Sequence, residues 1–144
     1  QLGKHQVGLV WNEVSRRYVS DDPEVWSTKE WRAVADDKKQ GSSENLVMSP
    51  NIMSNIYGDA IRHATEAYKS LLSQGVCEEQ ARAVLPQGMY TEWYWSGSIA
   101  AFARVCKLRL ASDTQKETRD VVKDINRQLE QRFPVSWKAL QGAM

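Results

Sequence analysis

SPNIMSNIYGDAIRHATEAYKSLLSQG, residues 49–75, carries the longest helical pattern in the 144-residue chain. Ser49 is a suitable N-cap and Pro50 a suitable first helical residue, because the missing N–H of proline has no helical partner at that position. Gly75 is a typical residue at a helix C-terminus. The pattern therefore predicts a helix over about residues 50–74. Its apolar residues recur at helical spacing: Ile52, Ile56, Ala60, Ala64, Ala67, Leu71 and Leu72.

Downstream of this pattern the sequence predicts a shorter helix and an extended segment. CEEQARAVL, residues 77–85, places two glutamates at a helix start, where the helix dipole favours carboxylates, and it stops before Pro86. MYTEWYW, residues 89–95, alternates between two faces, which is typical of a strand or an extended connection. We expect Ser96 and Gly97 to end that segment.

The last third of the chain predicts two more helices and a short final turn. SIAAFARVCKLRL, residues 98–110, has the spacing of a helix with one apolar face. Thr114 and Glu117 form a candidate capping box for the next helix, which Pro134 ends. A short last turn holds Trp137. The residues of the 98–110 helix predicted to face inward are Ile99, Phe102, Ala103 and Cys106.

Residues 18–48 are polar and irregular, and SDDP, DDKKQ and GSSEN within them are typical of loops. We therefore predict an irregular loop or insertion over residues 19–48, with Trp26 and Trp31 available to hold it against the rest of the protein. The length of the chain fits a single domain over residues 1–144. Most of that domain is predicted to be helical.

Composition excludes several classes of function. The 19 Lys and Arg nearly balance the 18 Asp and Glu, so no global field attracts nucleic acid or membrane. Cys77 and Cys106 lie outside any CxxC pattern, which predicts a reducing compartment and small buried thiols. With only His5 and His63 as imidazoles, we expect no metal site.

No apolar run approaches the roughly 20 residues of a membrane span, so we expect a cytoplasmic protein. Because the chain starts at Gln1 without a turn or cap pattern, we expect an N-terminal part to be missing.

The sequence contains candidate anion ligands but neither of the common glycine-rich phosphate loops, GxGxxG and GxxxxGK[ST]. Arg17, Arg82 and Arg109 lie beside apolar sequence, and a guanidinium group binds phosphate through two parallel hydrogen bonds. Ser15 and Gln1 could add neutral hydrogen bonds. The alternative, that each arginine is a solvated or salt-bridged surface group, stays open at this point.

Five short segments follow one another in a characteristic order. They are QLGKHQ, NEVSRRY, ARAVLP, MYTEWYW and KLR, the last followed by Gln115. Together they resemble the flavin-dependent thymidylate synthases over the chain from Gln1 to about Leu140. The family signature is Arg-His-Arg, seven residues and Ser, whereas here Lys4-His5-Gln6 precedes eight residues and Ser15. The resemblance implies an α+β fold, with helices packed on a mixed sheet, of which this chain is the mostly helical part with a few short strands.

The resemblance also implies a substrate pocket and a flavin site. Arg109 would reach the uracil of deoxyuridine monophosphate (dUMP) and Arg82 its phosphate, with Arg109 and Ser15 as the catalytic residues. Asp113 replaces a frequent histidine, and Ser98, Ala100 and Arg104 stand where many relatives carry Asn, Arg and Asn. The implied dUMP-binding residues are Gln1, Lys4, Glu13, Ser15, Arg17, Tyr18, Arg82 and Arg109. The implied FAD-binding residues are Lys4, His5, Gln6, Asn12, Ser98, Arg104 and Leu108.

The reaction implied by the resemblance converts dUMP to dTMP, with methylenetetrahydrofolate as carbon donor and NADPH-reduced FAD as hydride source. The cofactors supply the hydride and one-carbon chemistry, so no reactive thiol is needed. The family is a homotetramer with shared active sites, in which Arg82 and Arg109 come from a different subunit than the Ser15 loop. Two alternatives stay open: a non-catalytic nucleotide-binding or assembly subunit of the same family, and a helical nucleic-acid binder, which the balanced charge disfavours.

Overall fold

The computed structural model describes residues 1–15, 21–37 and 41–142, and it confirms the α+β prediction. Within those residues, β1 and β2 form a two-stranded antiparallel sheet, in agreement with the few short strands expected for this chain. Single 3-10 turns cover Leu2–Lys4 and Arg82–Val84. The strands and helices, in chain order, are β1 Leu9–Glu13, α1 Pro50–Ser73, α2 Glu78–Ala81, β2 Trp93–Gly97, α3 Ile99–Arg109, α4 Lys116–Arg132 and α5 Pro134–Gly142.

The chain divides into two compact units. The terminal unit comprises Gln1–Asn12, Val34–Glu44 and Tyr94–Met144, and the central unit comprises Glu13–Ala33 and Asn45–Trp93. Both units are thus assembled from segments that are distant in sequence. The prediction of a single domain over residues 1–144 stays a prediction.

The central unit is organised by α1, whose observed bounds confirm the predicted helix over about residues 50–74. Tyr68 is fully buried on α1, and Ala81 is fully buried at the end of α2. The predicted apolar positions of α1 do not all face the interior, because Ile52 and Ile56 are more than half exposed. α1 is therefore buried mainly through other positions, of which Tyr68 in its C-terminal half is fully buried.

The irregular segment before α1 is held by aromatic packing, as the positions of Trp26 and Trp31 predict. Both indole rings contact the ring of Tyr57 edge to face, with centroid distances of 6.0 and 5.4 Å. The Trp31 indole N–H donates to Ser54 Oγ at 2.9 Å, and the Tyr57 hydroxyl donates to the Trp26 carbonyl at 2.8 Å. An indole satisfies its single donor in this way while its ring stays out of water. Residues 21–33 are thus attached to α1 by side chains rather than by regular secondary structure.

The terminal unit has a core in which α3, α4 and α5 meet. The helix predicted over residues 98–110 is confirmed, and Ala103 and Cys106 are buried on the predicted face, with Ile99 and Phe102 packed against them. The other buried members of this core are Val105, Val122 and Trp137. Burial raises the pKa of Cys106 to about 11, so its thiol stays protonated and behaves as a small apolar group.

Several local predictions are wrong, for identifiable reasons. Gln115, not Thr114, is the N-cap of α4, because Thr114 is buried and its hydroxyl donates to the Leu108 carbonyl at 3.4 Å instead. The predicted final turn is the nine-residue helix α5, because Pro134 ends α4 and also begins the next helix. Cys77 is exposed rather than buried.

The strands also differ from the sequence prediction. Ser96 and Gly97 belong to β2 instead of ending it, and β1 was not predicted as a strand. A Cβ atom at Gly97 would lie 2.5 Å from the Gly8 carbonyl oxygen, so only glycine permits this close approach of the two backbones. Gly97 therefore allows two backbones to pack closely at the end of β2, whereas the sequence suggested that it ends the extended segment.

Two structural features are absent from the part of the chain that the structure describes. No helix there is long and apolar enough to cross a membrane. Those residues also contain no group of three or more His, Cys, Asp or Glu side chains arranged to hold a metal ion.

Candidate functional site

The central unit contains an open groove with a volume of about 1200 Å³. It is lined by residues from four segments, 13–15, 21–24, 79–85 and 89–92. Backbone hydrogen bonds join these walls, because Val14 N–H donates to the Glu92 carbonyl at 2.9 Å and Tyr90 N–H donates to the Glu24 carbonyl at 2.8 Å. The groove therefore has a defined shape although only short pieces of regular structure border it.

The groove brings together three of the residues implied in dUMP binding, Glu13, Ser15 and Arg82. Arg82 follows the fully buried Ala81, which anchors the backbone at this point. Its guanidinium group is exposed and has no hydrogen-bond or ion-pair partner among the described residues. Arg82 is therefore available to an anionic ligand.

The charge of the groove is dominated by carboxylates. Among the described residues that line it, six Asp and Glu side chains face one arginine. The Thr91 hydroxyl donates to Glu13 at 2.5 Å, and Lys69 donates to Asp22 at 2.8 Å. Such a lining suits a ligand with one anionic group and several hydrogen-bond donors, and it disfavours a polyanion.

The terminal unit contains a second set of predicted site residues, centred on Arg109 at the end of α3. Arg109 Nε donates to His5 Nε2 at 2.8 Å, and both side chains are half-buried. Burial lowers the pKa of His5, and the positive charge of Arg109 lowers it further. His5 is therefore neutral at pH 7 and accepts the hydrogen bond of a cation.

The N-terminus of α3 holds the segment that follows His5. Gln6 to Leu9 form a turn in which Leu9 N–H donates to the Gln6 carbonyl at 3.1 Å and Gly8 has φ 74°. Arg104 Nη2 donates to the Val7 carbonyl at 3.0 Å. Ser98 N–H donates to the Gly8 carbonyl at 3.3 Å, while Ser98 Oγ caps α3. A turn of this kind can accommodate the additional residue that separates Lys4-His5-Gln6 from Ser15 here.

The other predicted site residues are placed as follows. In the terminal unit, Lys4, Gln6, Asn12 and Leu108 are exposed and Gln1 is half-buried. Asp113 also lies there, and its carbonyl oxygen would be 3.2 Å from a Cβ at Gly41. Arg17 and Tyr18, both implied in dUMP binding, lie outside the described residues.

Sequence reasoning missed two features of these sites. One side of the groove is lined by Asp21, Asp22 and Glu24, although the sequence suggested only a loop there. The acidic SDDP motif could be seen in the sequence, but the sequence does not show which residues it faces. The hydrogen bond between His5 and Arg109 was also missed, because both residues were assigned to ligands and not to each other. Contacts between distant segments have no local sequence pattern.

Comparisons with known proteins agree with the resemblance. The family model described as thymidylate synthase complementing protein matches residues 1–135. A flavin-dependent thymidylate synthase of Thermus thermophilus is 33% identical over 147 residues, covering 98% of this chain and 51% of the relative. Proteins of the same name from Kosmotoga olearia and Dictyostelium discoideum are 30% and 31% identical, covering 96% and 94% of this chain and 60% and 45% of those proteins. The chain thus spans about half the length of the curated relatives it matches. It belongs to the thymidylate synthase complementing protein family.

Proposed function

We propose that this chain is the dUMP-binding and flavin-binding part of a flavin-dependent thymidylate synthase. The proposed reaction converts dUMP to dTMP with methylenetetrahydrofolate as carbon donor and NADPH as source of reducing equivalents. The names of the relatives and the match over residues 1–135 support the flavin and the product. The segment order of the sequence supports the nucleotide substrate.

One observation carries the proposal: Glu13, Ser15 and Arg82, distant in sequence, line the same groove. dUMP combines a phosphate with hydrogen-bond donors on the sugar and the uracil ring. In our proposal the exposed guanidinium of Arg82 binds the phosphate through a charge-assisted hydrogen bond, and Ser15 adds a neutral one. Glu13 and the neighbouring carboxylates accept from the donors of the nucleoside.

The roles of the remaining substrate residues follow from their side-chain chemistry. Arg109 donates to a uracil carbonyl and stabilises the negative charge that develops on the ring, as an oxyanion-type donor does. Ser15, the other proposed catalytic residue, orients the nucleotide from the phosphate side. Gln1, Lys4, Arg17 and Tyr18 complete the proposed dUMP contacts.

The donor set of the terminal unit fits FAD, a large ligand with two phosphates and many hydrogen-bond acceptors. Lys4 and Arg104 carry positive charge, both are exposed, and Arg104 uses one nitrogen on Val7 and retains its other donors. When bound, the flavin supplies the redox chemistry of the reaction. The residues proposed to hold it are Lys4, His5, Gln6, Asn12, Ser98, Arg104 and Leu108.

We further propose that the protein acts as a homotetramer with shared active sites in the cytoplasm. The family resemblance places Ser15 and Arg82 on different subunits, whereas both line the groove of a single chain here. The distribution of the site over subunits stays a prediction. Size-exclusion chromatography with light scattering measures the assembly directly, and a monomer in the presence of dUMP and FAD contradicts it.

The test of the proposed function is tritium release from labelled dUMP in the presence of NADPH, FAD and methylenetetrahydrofolate. It is run on this chain and on a longer protein that includes the N-terminal part of the relatives. Release by either protein supports the enzyme, and absence of release from both contradicts it.

The alternative of a non-catalytic subunit is motivated by Lys4 and Gln6, which stand where the family signature has arginines. The absorption spectrum of the purified protein distinguishes the enzyme from the non-catalytic subunit. A yellow protein with an oxidised flavin band supports the enzyme. A colourless protein that still binds dUMP and shows no tritium release supports the alternative.

A further inference from the structure

The hydrogen bond between His5 and Arg109 has a geometric consequence for the guanidinium group. A guanidinium is planar, and its five N–H bonds lie in that plane. The direction of the Nε–H bond and the Cδ–Nε bond together define the plane. An acceptor at 2.8 Å from Nε therefore fixes the directions of the remaining four N–H bonds on Nη1 and Nη2.

Both ends of this contact are attached to rigid parts of the terminal unit. His5 caps the 3-10 turn of residues 2–4, and its N–H donates to the Leu2 carbonyl at 3.0 Å. Leu2 packs against the buried core, and Arg109 ends α3 one turn after the buried Val105 and Cys106. The position of the imidazole relative to the guanidinium is thus set by the core and not by a flexible loop.

The donors on Nη1 and Nη2 of Arg109 have no acceptor within the ranges that the structure describes. A half-buried cation whose orientation is fixed on one side and whose other donors have no partner is suited to an acceptor-bearing ligand. The imidazole must stay unprotonated at Nε2 to accept from Arg109, which places its own proton on Nδ1.

We propose that His5 is a positioning residue for Arg109: its Nε2 holds the guanidinium so that Nη1 and Nη2 face the pyrimidine carbonyl. This inference rests on the proposed function, because it needs Arg109 to contact the nucleotide. It assigns His5 a role that is separate from flavin binding. The role acts through Arg109 and requires no contact between His5 and the substrate.

A double-mutant cycle tests the proposal on the whole chain, with the dissociation constant of dUMP measured by isothermal titration calorimetry. His5→Phe keeps a ring but removes the acceptor, and it should raise the dissociation constant about tenfold, the usual range for a lost hydrogen bond to a charged group. His5→Gln keeps a neutral acceptor and should stay within about threefold of the wild type. In an Arg109→Ala background, His5→Phe should have no further effect.

A matched control is His63→Phe on α1, where the side chain is exposed and its Nδ1 lies 2.8 Å from the Asp59 carbonyl oxygen. This variant should bind dUMP like the wild type. The proposal is overturned if His5→Phe weakens binding equally with and without Arg109, or if it has no effect while Arg109→Ala does. A wild type that does not bind dUMP, or an Arg109→Ala variant that binds equally well, identifies failure of the proposed function itself.

A measurement on the unmutated protein covers the case in which His5→Phe does not fold. The Arg109 Nε–H resonance in a nitrogen-15 spectrum should shift as His5 is protonated at acidic pH, because the acceptor is lost. A resonance that does not respond to this titration overturns the contact and the proposal with it.

Discussion

Arg109 and Arg82 are both proposed to bind the nucleotide, but the protein presents them in opposite ways. Arg109 ends a helix of the terminal unit, is half-buried, and donates to His5 at 2.8 Å. Arg82 lies in the groove of the central unit, is exposed, and has no partner among the described residues. A fixed guanidinium suits a step that needs orientation, and an exposed one suits the attraction of a phosphate. The comparison therefore predicts that loss of Arg109 lowers turnover as well as affinity for dUMP, whereas loss of Arg82 acts mainly on affinity.

The largest effect is expected for Arg109→Ala. It should lower turnover by about a hundredfold or more, as loss of a donor to a developing negative charge does, while some affinity for dUMP remains. Tritium release at saturating dUMP measures it. Arg127→Ala, which removes an exposed arginine paired with Asp124 on α4, is the matched control and should leave turnover unchanged. If the Arg109 variant and the control have equal turnover, the proposed difference between Arg109 and Arg82 is contradicted.

Arg82→Ala is expected to act mainly on binding. Loss of one charge-assisted hydrogen bond to phosphate should raise the dissociation constant of dUMP about thirtyfold and change saturated turnover little. Equilibrium dialysis with labelled dUMP gives the constant. Arg62→Ala is a suitable control, because Arg62 is an exposed arginine of α1 that pairs with Glu66. An unchanged dissociation constant for Arg82→Ala contradicts the phosphate role.

Gly8→Ala tests the support of the Arg109 region. Gly8 has φ 74°, and an added Cβ would lie 3.3 Å from the Ala101 Cβ, so both backbone strain and crowding act against alanine. The free energy of unfolding in urea should fall by about 1–2 kcal/mol. Gly58→Ala on α1, where nothing would lie within 4 Å of the new Cβ, should be neutral or stabilising. Loss of stability in both variants would mean that the turn at Gly8 has no special role.

The smallest effect is expected from pH. Because the pKa of His5 is lowered in the folded protein, the unfolded chain binds a proton first as the pH falls through about 6.5. The contribution of His5 to stability is therefore present above that pH and decreases on acidification. Urea titrations between pH 7 and 5 should show a shallower decline for His5→Gln than for the wild type. Identical slopes contradict the lowered pKa of the half-buried His5.

The elements of the fold with strong local patterns were predictable from sequence. The caps and periodicity around Pro50 gave the long helix to within a residue, and the apolar face of α3 gave its buried residues. Thr114 was misassigned because its hydroxyl is buried and donates to the Leu108 carbonyl near the end of α3, and the capping pattern does not show this burial. Gly97 was misassigned because the sequence does not show which backbone passes close to it.

Some residues that line the groove could be singled out from the sequence, but their arrangement could not. The ordered segments identified Ser15 and Arg82, and the structure places both on one groove. The acidic wall of that groove comes from residues 21–24, whose position depends on Trp26, Trp31 and Tyr57. A loop held by aromatic side chains shows no repeating pattern in the sequence, so its position could not be predicted.

The two aromatic clusters also give each unit its own optical signature. Trp11 and Trp95 pack edge to face at 5.8 Å in the terminal unit, and Trp26 and Trp31 do so at 6.1 Å in the central unit. Aromatic rings held in fixed tertiary packing contribute to the near-ultraviolet circular dichroism, which is lost when that packing is lost. Replacing one tryptophan of either pair by phenylalanine should therefore remove the signal of that pair, so that the difference from the wild-type spectrum follows the packing of one unit without an added label.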